Sequence, residues 1–211
     1  EITQMAHAVF NKHAEAYAEK FWDVGLYADS LNDFCNLLPK EKSTVLEMAC
    51  GPGNITRDLI NRRKDLQILA TDISENMLKV AREKVPEAEF KLLDCNALDT
   101  VSQKYDAVVC GFGFPYLSKA DAIRFIENAR KIILPEGLLY ISTMEDDYEK
   151  SSFRKSSSGE DGPYMHYHEL AYLKEAFEKN GFRLLKTYRN KHPSEQNPTA
   201  NDLVVIGKRS V

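Results

Sequence analysis

A turn with two glycines, between an apolar run and a helical pattern, constrains the fold of this chain more than any other feature. Val45, Leu46 and Met48 form the apolar run, as in a buried strand of a parallel sheet. Gly51 and Gly53 follow, and apolar residues then recur at helical spacing. Glycines suit this position because the backbone must turn sharply and let a ligand approach closely. The pattern predicts a strand, a turn and a helix, the start of a nucleotide-binding β-α-β unit.

An acidic residue stands where such a unit binds a ribose. Residues 67–71 are predicted to be the second strand, and Asp72 lies at its end, about twenty residues after the glycines. A carboxylate there can accept hydrogen bonds from ribose hydroxyls. The glycine turn alone also fits an ordinary connection between a strand and a helix, and it is Asp72 that favours a cofactor site.

Two common cofactors of such sites place different demands on the turn. NAD carries a pyrophosphate, and its motif has a third glycine that brings the helix close. This chain has Thr56 at that position. S-adenosylmethionine (SAM) has no phosphate and does not need that approach. The pattern Glu47-x-Ala49-x-Gly51-x-Gly53 therefore fits SAM better.

Five stretches resemble, in order and spacing, the successive motifs of the class I SAM-dependent methyltransferases. They are residues 45–53, 70–77, 92–97, 105–117 and 134–142. The match is to the small-molecule branch with an N-terminal helical cap. It implies an α/β fold: a Rossmann-like, doubly wound, seven-stranded, mostly parallel sheet with an antiparallel strand at the C-terminal end. Ala49 is a departure, since the family usually has Gly there.

The resemblance also implies a set of cofactor-binding residues. Asp72 would hold the ribose, Asp94 the adenine amine, and Glu47 would help to anchor the donor. Ile73 and Met77 would border the adenine or ribose, although core packing explains them equally well. The expected set is Tyr17, Glu47, Ala49, Gly51, Gly53, Asp72, Ile73, Met77, Asp94, Cys95, Asn96, Cys110 and Phe112.

The N-terminal segment, residues 1–38, is predicted to form two amphipathic helices interrupted at Gly25. The resemblance implies that this segment caps the methyl donor and that Tyr17 contacts it. Packing against the sheet edge explains most of its other apolar positions.

The loop after the fourth strand is expected to face the methyl group, because ligands in open α/β sheets lie beyond the carboxyl ends of the strands. Phe112, Phe114 and Tyr116 would supply apolar walls and ring faces for a sulfonium cation. Cys110 and Gly111 stand where catechol-type enzymes need a carboxylate for magnesium, so no metal is expected.

Residues 145–167 form the one stretch that resembles a linker or insertion, and such insertions often build the acceptor pocket in the family. His166 lies there and is a candidate general base, because an imidazole titrates near pH 6.5. A surface loop explains His166 equally well. The candidate catalytic residues are His166 and Tyr116, and an enzyme of this type can also work without a dedicated base.

Composition narrows the class of partner. The 211 residues are 43% hydrophobic, which suits one domain, residues 1–211. The net charge is −4 and no block of basic residues occurs, so a nucleic-acid partner is not expected. No run is long enough to insert into a membrane. The four cysteines form no C-x-x-C pair, which favours free thiols in the cytoplasm.

These observations predict a methyltransferase that moves a methyl group from SAM to an O, N, C or S atom of a small molecule. One alternative is a methyltransferase acting on protein or RNA. Another is a cofactor-binding module without turnover. The sequence is also compatible with a homodimer.

Overall fold

The parallel strands predicted around the glycine turn form the centre of a seven-stranded sheet. The computed structural model describes residues 8–38, 41–155, 161–191 and 199–211. Its strands are β1 (Thr44–Met48), β2 (Gln67–Asp72), β3 (Glu89–Leu92), β4 (Tyr105–Gly111), β5 (Ile133–Glu145), β6 (Ser152–Lys155), β7 (Asp161–Met165), β8 (Phe182–Lys191) and β9 (Asn201–Arg209). The strand order in the sheet is β3-β2-β1-β4-β5-β9-β8, and β9 runs antiparallel to both of its neighbours. The predicted sheet is thereby confirmed.

Helices cover both faces of the sheet, as the doubly wound prediction requires. They are α1 (Ala14–Phe21), α2 (Ala28–Leu37), α3 (Asn54–Arg62), α4 (Glu75–Lys84), α5 (Lys119–Ile132) and α6 (Leu170–Lys179). Apolar side chains of α2 and α3 pack on one face of the sheet, and those of α5 and α6 pack on the other. Among the helices of the described residues, none combines the length and the apolar character that crossing a bilayer requires.

The N-terminal segment is more broken than predicted. Residues 8–12 are helical, the helix is interrupted at His13, and a 3₁₀ turn at Gly25–Tyr27 joins α1 to α2. Residues 1–7 lie outside the described residues. The segment packs along α4, where Ala14 and Ala18 form a small apolar cluster with Met77. It therefore lies beside the carboxyl end of β2.

The expected linker after β5 is an antiparallel ribbon in its described part. β6 pairs with β7, and the rings of Phe153 and Tyr164 meet edge to face at 5.0 Å. Residues 156–160 lie outside the described residues. The backbone N–H of His166 donates to the carbonyl of Pro115 at 2.7 Å, which ties the ribbon to the loop after β4. The ribbon is thus held at the carboxyl end of the sheet.

Candidate functional site

The turn after β1 has an unusual backbone. Ala49, Gly51 and Gly53 have φ angles of 54°, 53° and 85°, in the left-handed region. A Cβ at Gly53 would also lie 3.2 Å from Cγ2 of Val85, so glycine lets α3 begin close to the end of α4. Ala49 takes the same backbone region with a side chain, which accounts for the family's usual Gly at this position.

Asp72 joins the glycine turn to the start of α4. Its Oδ2 accepts a hydrogen bond from the backbone N–H of Gly51 at 2.9 Å, and its Oδ1 accepts one from that of Ser74 at 2.8 Å. The Ser74 hydroxyl in turn caps α4 by accepting from the N–H of Met77. Asp72 therefore fixes the turn after β1 relative to the start of α4.

A cavity of about 690 Å³, including its mouth, opens at the carboxyl ends of β1, β2 and β4. Ten of the residues singled out from the sequence line it. They are Tyr17, Ala49, Gly51, Asp72, Ile73, Met77, Asp94, Cys95, Phe112 and Tyr116.

Four predicted cofactor residues lie outside the cavity lining. Glu47 is buried beneath the turn, where its Oε2 accepts from the Thr56 hydroxyl at 2.6 Å. Gly53 packs against α4, and the fully buried Cys110 lies behind the loop after β4. Asn96 is exposed and its backbone N–H bonds to Asp94. These residues support the walls rather than form them.

Five lining residues were not among the predicted cofactor or catalytic residues. They are Phe10, Leu93, Gly111, Gly113 and Leu117. Gly113 could have been recognised from the sequence, because a glycine in the loop after β4 permits another segment or a ligand to approach the backbone closely. A Cβ there would lie 2.7 Å from Sγ of Cys110 and 2.9 Å from Cβ of Ala49. Glycine therefore lets this loop pack directly on the turn after β1.

Asp94 has a structural role at the cavity as well as a predicted ligand contact. It follows β3 and its Oδ1 accepts from the backbone N–H of Asn96 at 2.8 Å, so it caps the 3₁₀ helix Cys95–Thr100. The side chain also lines the cavity beside Leu93. The turn-cap role and the proposed contact with an adenine are therefore compatible.

Three aromatic rings close the cavity on the side of the N-terminal segment. Phe10 meets Tyr17 at 5.5 Å and Tyr116 at 4.9 Å, both edge to face. Burial raises the pKa of Tyr17 to about 12, with the Asp72 charge adding to the effect. Burial also raises the pKa of Tyr116. Both phenols therefore stay protonated at neutral pH and can donate hydrogen bonds to a ligand.

Asn11 fastens the N-terminal segment to the start of α4. Its Oδ1 accepts from the Ser74 hydroxyl at 3.0 Å and from the backbone N–H of Asn76 at 3.1 Å. Its carbonyl accepts from the Asn76 side chain at 2.7 Å. The contact lies two residues beyond Asp72, so the segment is held at the edge of the cavity.

Trp22 provides a second fastening, at the start of α3. The guanidinium of Arg57 lies 4.2 Å from one of its ring centroids and the ammonium of Lys84 lies 4.8 Å away. The Asn54 side chain donates to the carbonyl of Phe21 at 2.8 Å. The segment thus contacts both helices that begin at the cavity.

Phe112 has a strained backbone at the cavity wall. Its φ of 55° is uncommon for a bulky residue. Its N–H donates to both the hydroxyl and the carbonyl of Ser142, at 2.9 and 3.1 Å, and its ring packs on Tyr27 at 5.0 Å. These contacts hold the ring at the cavity.

His166 lies outside the cavity, in contrast to its predicted role as a base. Its ring stacks on Tyr148, and its Nδ1 lies 3.2 Å from the Tyr148 hydroxyl. That hydroxyl accepts the backbone N–H of Lys119, so it can donate its own proton to His166. Burial lowers the pKa of His166. The predicted wall residue Phe114 is also in the core, fully buried against Phe125.

His168 is likewise a structural residue. Its Nε2 lies 2.8 Å from the carbonyl of Phe114 and so donates to it, while Nδ1 accepts from the Tyr172 hydroxyl. Burial lowers the pKa of His168 to about 4, so the ring is neutral. The pair of histidines thus braces the loop after β4 from behind.

The four cysteines are free, as predicted. Cys95 lines the cavity and lies close to Cys110, whose contact, together with burial, raises the pKa of Cys95 well above its usual range. Among the described residues, no group of three or more His, Cys, Asp or Glu side chains is arranged to hold a metal ion.

Comparison with known proteins agrees with this architecture. A family model described as a methyltransferase domain matches residues 45–137. The malonyl-acyl-carrier-protein O-methyltransferase of Acetivibrio thermocellus is 30% identical over 145 residues, 68% of this chain and 49% of that protein. The trans-aconitate 2-methyltransferase of Variovorax paradoxus is 32% identical over 114 residues, 54% of this chain and 43% of that protein. The chain belongs to the class I SAM-dependent methyltransferase family.

The chain spans about half or less of the length of these curated relatives. Among solved structures, the magnesium protoporphyrin IX methyltransferase of Synechocystis PCC 6803 with bound SAM aligns with a TM-score of 0.72 at 16% identity. The alignment covers 100% of this chain and 98% of that chain. At this level of identity the likeness shows the class I methyltransferase fold.

Substitutions at Ala49 are expected to report the strain of the turn. Ala49→Gly removes left-handed strain of about 1–2 kcal/mol and loses about 0.4–1 kcal/mol through a more flexible unfolded chain. We expect it to raise the free energy of unfolding by about 0.5–1 kcal/mol in urea titrations. Ala49→Val should lower it by more than about 2 kcal/mol, because a β-branched side chain is disfavoured there and Gly113 leaves little room. If Ala49→Gly lowered the free energy of unfolding, the claim that the backbone is strained at Ala49 would be wrong.

Glu47 is expected to make stability depend on pH. Burial raises its pKa to about 8, whereas an unfolded glutamate titrates near about 4.3. Between these values the unfolded chain has lost this proton and the folded chain keeps it, so this contribution to stability falls as pH rises. In urea titrations, Glu47→Gln should be more stable than the parent by more than about 1 kcal/mol at pH 8, with a smaller difference at pH 5. A difference that does not change with pH, or an equal trend in the exposed control Glu87→Gln, would argue against this.

Proposed function

We propose that this protein is a methyltransferase that uses SAM as its donor and a small molecule as its acceptor. One observation carries the proposal: a single cavity brings together the glycine turn, Asp72, Asp94 and an aromatic lid. The acceptor atom is O, N, C or S. The structural neighbour from Synechocystis contains bound SAM, which supports the choice of donor.

The donor is proposed to lie along the carboxyl ends of β1 and β2. Asp72 would accept hydrogen bonds from the ribose hydroxyls, and Asp94 would accept one from the adenine amine. Ile73 and Met77 would pack against the adenine or the ribose. Backbone groups of Ala49 and Gly51 would contact the donor. Cys95 and Phe112 would form the remaining walls of the donor site. We propose a supporting role for Glu47, Gly53, Asn96 and Cys110, since none of them lines the cavity.

Methyl transfer from SAM depends more on the alignment of the acceptor atom with the methyl group than on proton transfer. SAM transfers its methyl group by in-line displacement, and the leaving group is a neutral thioether that needs no acid. The protein must place the acceptor atom behind the methyl carbon and exclude water. The rings of Phe10, Tyr17 and Tyr116 serve both needs, because they cover the cavity and present electron-rich faces to a cation.

The chain is proposed to act as one domain with two functional appendages. The N-terminal segment, described from residue 8 to residue 38, is the lid over the donor, fastened by Asn11 and Trp22. The ribbon of β6 and β7 borders the acceptor, because it is tied to the loop that carries Tyr116.

The adenine assignment can be tested with a matched ligand pair. S-adenosylhomocysteine and S-inosylhomocysteine differ in the exocyclic group that Asp94 is proposed to contact. We expect calorimetry to show micromolar binding of SAM and S-adenosylhomocysteine, about −8 kcal/mol. The inosyl analogue should bind about 10- to 100-fold more weakly, the range for a hydrogen bond to a charged group.

Substitution of Asp94, combined with this pair of ligands, gives a thermodynamic cycle for the proposed contact. Asp94→Ala should weaken S-adenosylhomocysteine binding by a similar factor and abolish the difference between the two ligands. The exposed neighbour Asp99→Ala is the control and should change neither affinity. Equal binding of the two ligands by the parent protein would refute the adenine placement. Absence of binding by SAM and S-adenosylhomocysteine, with NAD tested beside them, would refute the function.

Asn11 should control how long the donor product stays bound. Asn11→Ala removes the two hydrogen bonds that its side chain accepts, so the lid should open more often. We expect the dissociation rate of S-adenosylhomocysteine to rise about tenfold. Trp22 is the single tryptophan and lies within the lid contact, so its fluorescence in stopped-flow mixing can report the rate.

The exposed neighbour Lys12→Ala is the control for this experiment and should leave the rate within about twofold of the parent. An unchanged dissociation rate in Asn11→Ala, with thermal unfolding also unchanged, would show that this contact does not hold a lid.

A further inference from the structure

We propose that Tyr27 is a positioning residue of the donor site: Asp202 fixes its ring, and that ring orients Phe112 toward the methyl-bearing sulfur of SAM. The inference rests on the proposed placement of the donor. It adds to the site a residue that does not line the cavity.

Tyr27 connects the N-terminal segment to the last strand of the sheet. Its hydroxyl donates to Oδ2 of Asp202 at 2.6 Å. Asp202 lies in β9 and is fully buried. Burial, together with the charge of Asp202, raises the pKa of Tyr27, so the phenol keeps its proton at neutral pH. A hydrogen bond to a carboxylate is of the strong, charge-assisted kind, and it holds the Tyr27 ring in one orientation.

The backbone around Tyr27 is held by separate contacts. The side chain of Asn190, which faces Asp202 in the β8–β9 ladder, donates to the carbonyl of Leu26 at 3.0 Å. The hydroxyl of Ser30 donates to the carbonyl of Tyr27 at 2.8 Å. Loss of the Tyr27 hydroxyl would therefore release the ring and leave the turn in place.

The ring of Tyr27 packs on the ring of Phe112, with the centroids 5.0 Å apart and the planes at 54°. Among the described residues it is the one aromatic ring in contact with Phe112. The two hydrogen bonds from the N–H of Phe112 to Ser142 fix the backbone, which has a φ of 55°. They do not fix rotation of the side chain. Ser142 thus restrains the backbone of Phe112, and Tyr27 restrains its ring.

The strand order places Phe112 where the sulfur is expected. The sheet runs β3-β2-β1-β4 along this half, with Asp94 after β3 and Asp72 at the end of β2. If these two residues hold the adenine and the ribose, the donor extends along the sheet edge toward β4. The sulfur is attached on the side of the ribose away from the adenine, and Phe112 lines the cavity directly after β4.

A ring at this position distinguishes the two forms of the cofactor. SAM carries a methyl group and a positive charge at sulfur, and S-adenosylhomocysteine carries neither. An aromatic face attracts a cation, so a correctly oriented Phe112 ring stabilises bound SAM relative to the neutral thioether. A ring that rotates freely loses this selectivity. The orientation supplied by Tyr27 therefore affects the affinity for SAM relative to that for its product.

The test compares the dissociation constants of SAM and S-adenosylhomocysteine, measured by calorimetry on the same variants. Their ratio reports on the surroundings of the sulfur, whereas a general loss of stability affects both ligands alike. Phe112→Leu should shift the ratio against SAM about 3- to 10-fold. Tyr27→Phe, which keeps the ring but loses the bond to Asp202, should shift it about threefold in the same direction. Tyr27→Leu, which also removes the ring, should approach the effect of Phe112→Leu.

A double variant tests whether Tyr27 acts through Phe112. In the Phe112→Leu background, Tyr27→Phe should cause no further shift of the ratio, because the ring that it orients is absent. A shift as large as in the parent background would overturn the proposed path through Phe112.

Tyr188→Phe is the matched control. The Tyr188 hydroxyl donates to Asp33, so it also joins the N-terminal segment to a C-terminal strand, and its ring does not contact Phe112. This variant should leave the ratio unchanged even if its unfolding temperature falls as much as that of Tyr27→Phe.

An unchanged ratio in Phe112→Leu, or in both Tyr27 variants, with both ligands still bound, would overturn the inference while the proposed function stands. Failure of the parent protein to bind either ligand would overturn the proposed function, and this inference with it.

Discussion

The site depends on the two hydrogen bonds that the Asp72 carboxylate accepts from the backbone. One oxygen holds the N–H of Gly51 in the turn after β1, and the other holds that of Ser74 at the start of α4. A single side chain thus fixes the distance between two segments that the sheet alone would only bring near each other. Asp72 is 8% exposed as a whole residue, so these bonds are largely shielded from water. These two bonds therefore fix the geometry of the cavity floor.

The lid and the ribbon are attached at two different places around this floor. Asn11 and Trp22 attach the N-terminal segment to the helices that leave the donor end. The backbone bond between His166 and Pro115 attaches the ribbon to the loop after β4. The loop after β4 is shared, because Tyr116 touches the lid through Phe10 and belongs to the turn that the ribbon braces. This loop therefore contacts both the lid and the ribbon.

The sequence was informative where one local pattern fixes one structure. Apolar runs and glycine positions predicted the unit of strand, turn and helix, and the resemblance to the methyltransferase family implied the seven-stranded sheet. Residues at strand ends, such as Asp72 and Asp94, fell in the cavity because parallel strands end at one edge. Side-chain direction could not be predicted in the same way. Glu47 lies in β1, where successive side chains point to opposite faces of the sheet. Its side chain points beneath the turn, where the Thr56 hydroxyl donates a hydrogen bond to it. His166 belongs to a segment whose path depends on long-range contacts with the loop after β4, and no local pattern encodes those contacts.

The aromatic lid has a consequence for the order of events in a catalytic cycle. The donor carries a sulfonium charge and the product thioether does not, so the ring faces of Phe10, Tyr17 and Tyr116 would attract the substrate form of the cofactor more than the product form. A cation near aromatic rings gains about 0.5–2 kcal/mol. That difference disappears at the moment of transfer. The chemical step itself would then weaken the hold of the lid, and spent cofactor would exchange for fresh donor without any separate signal.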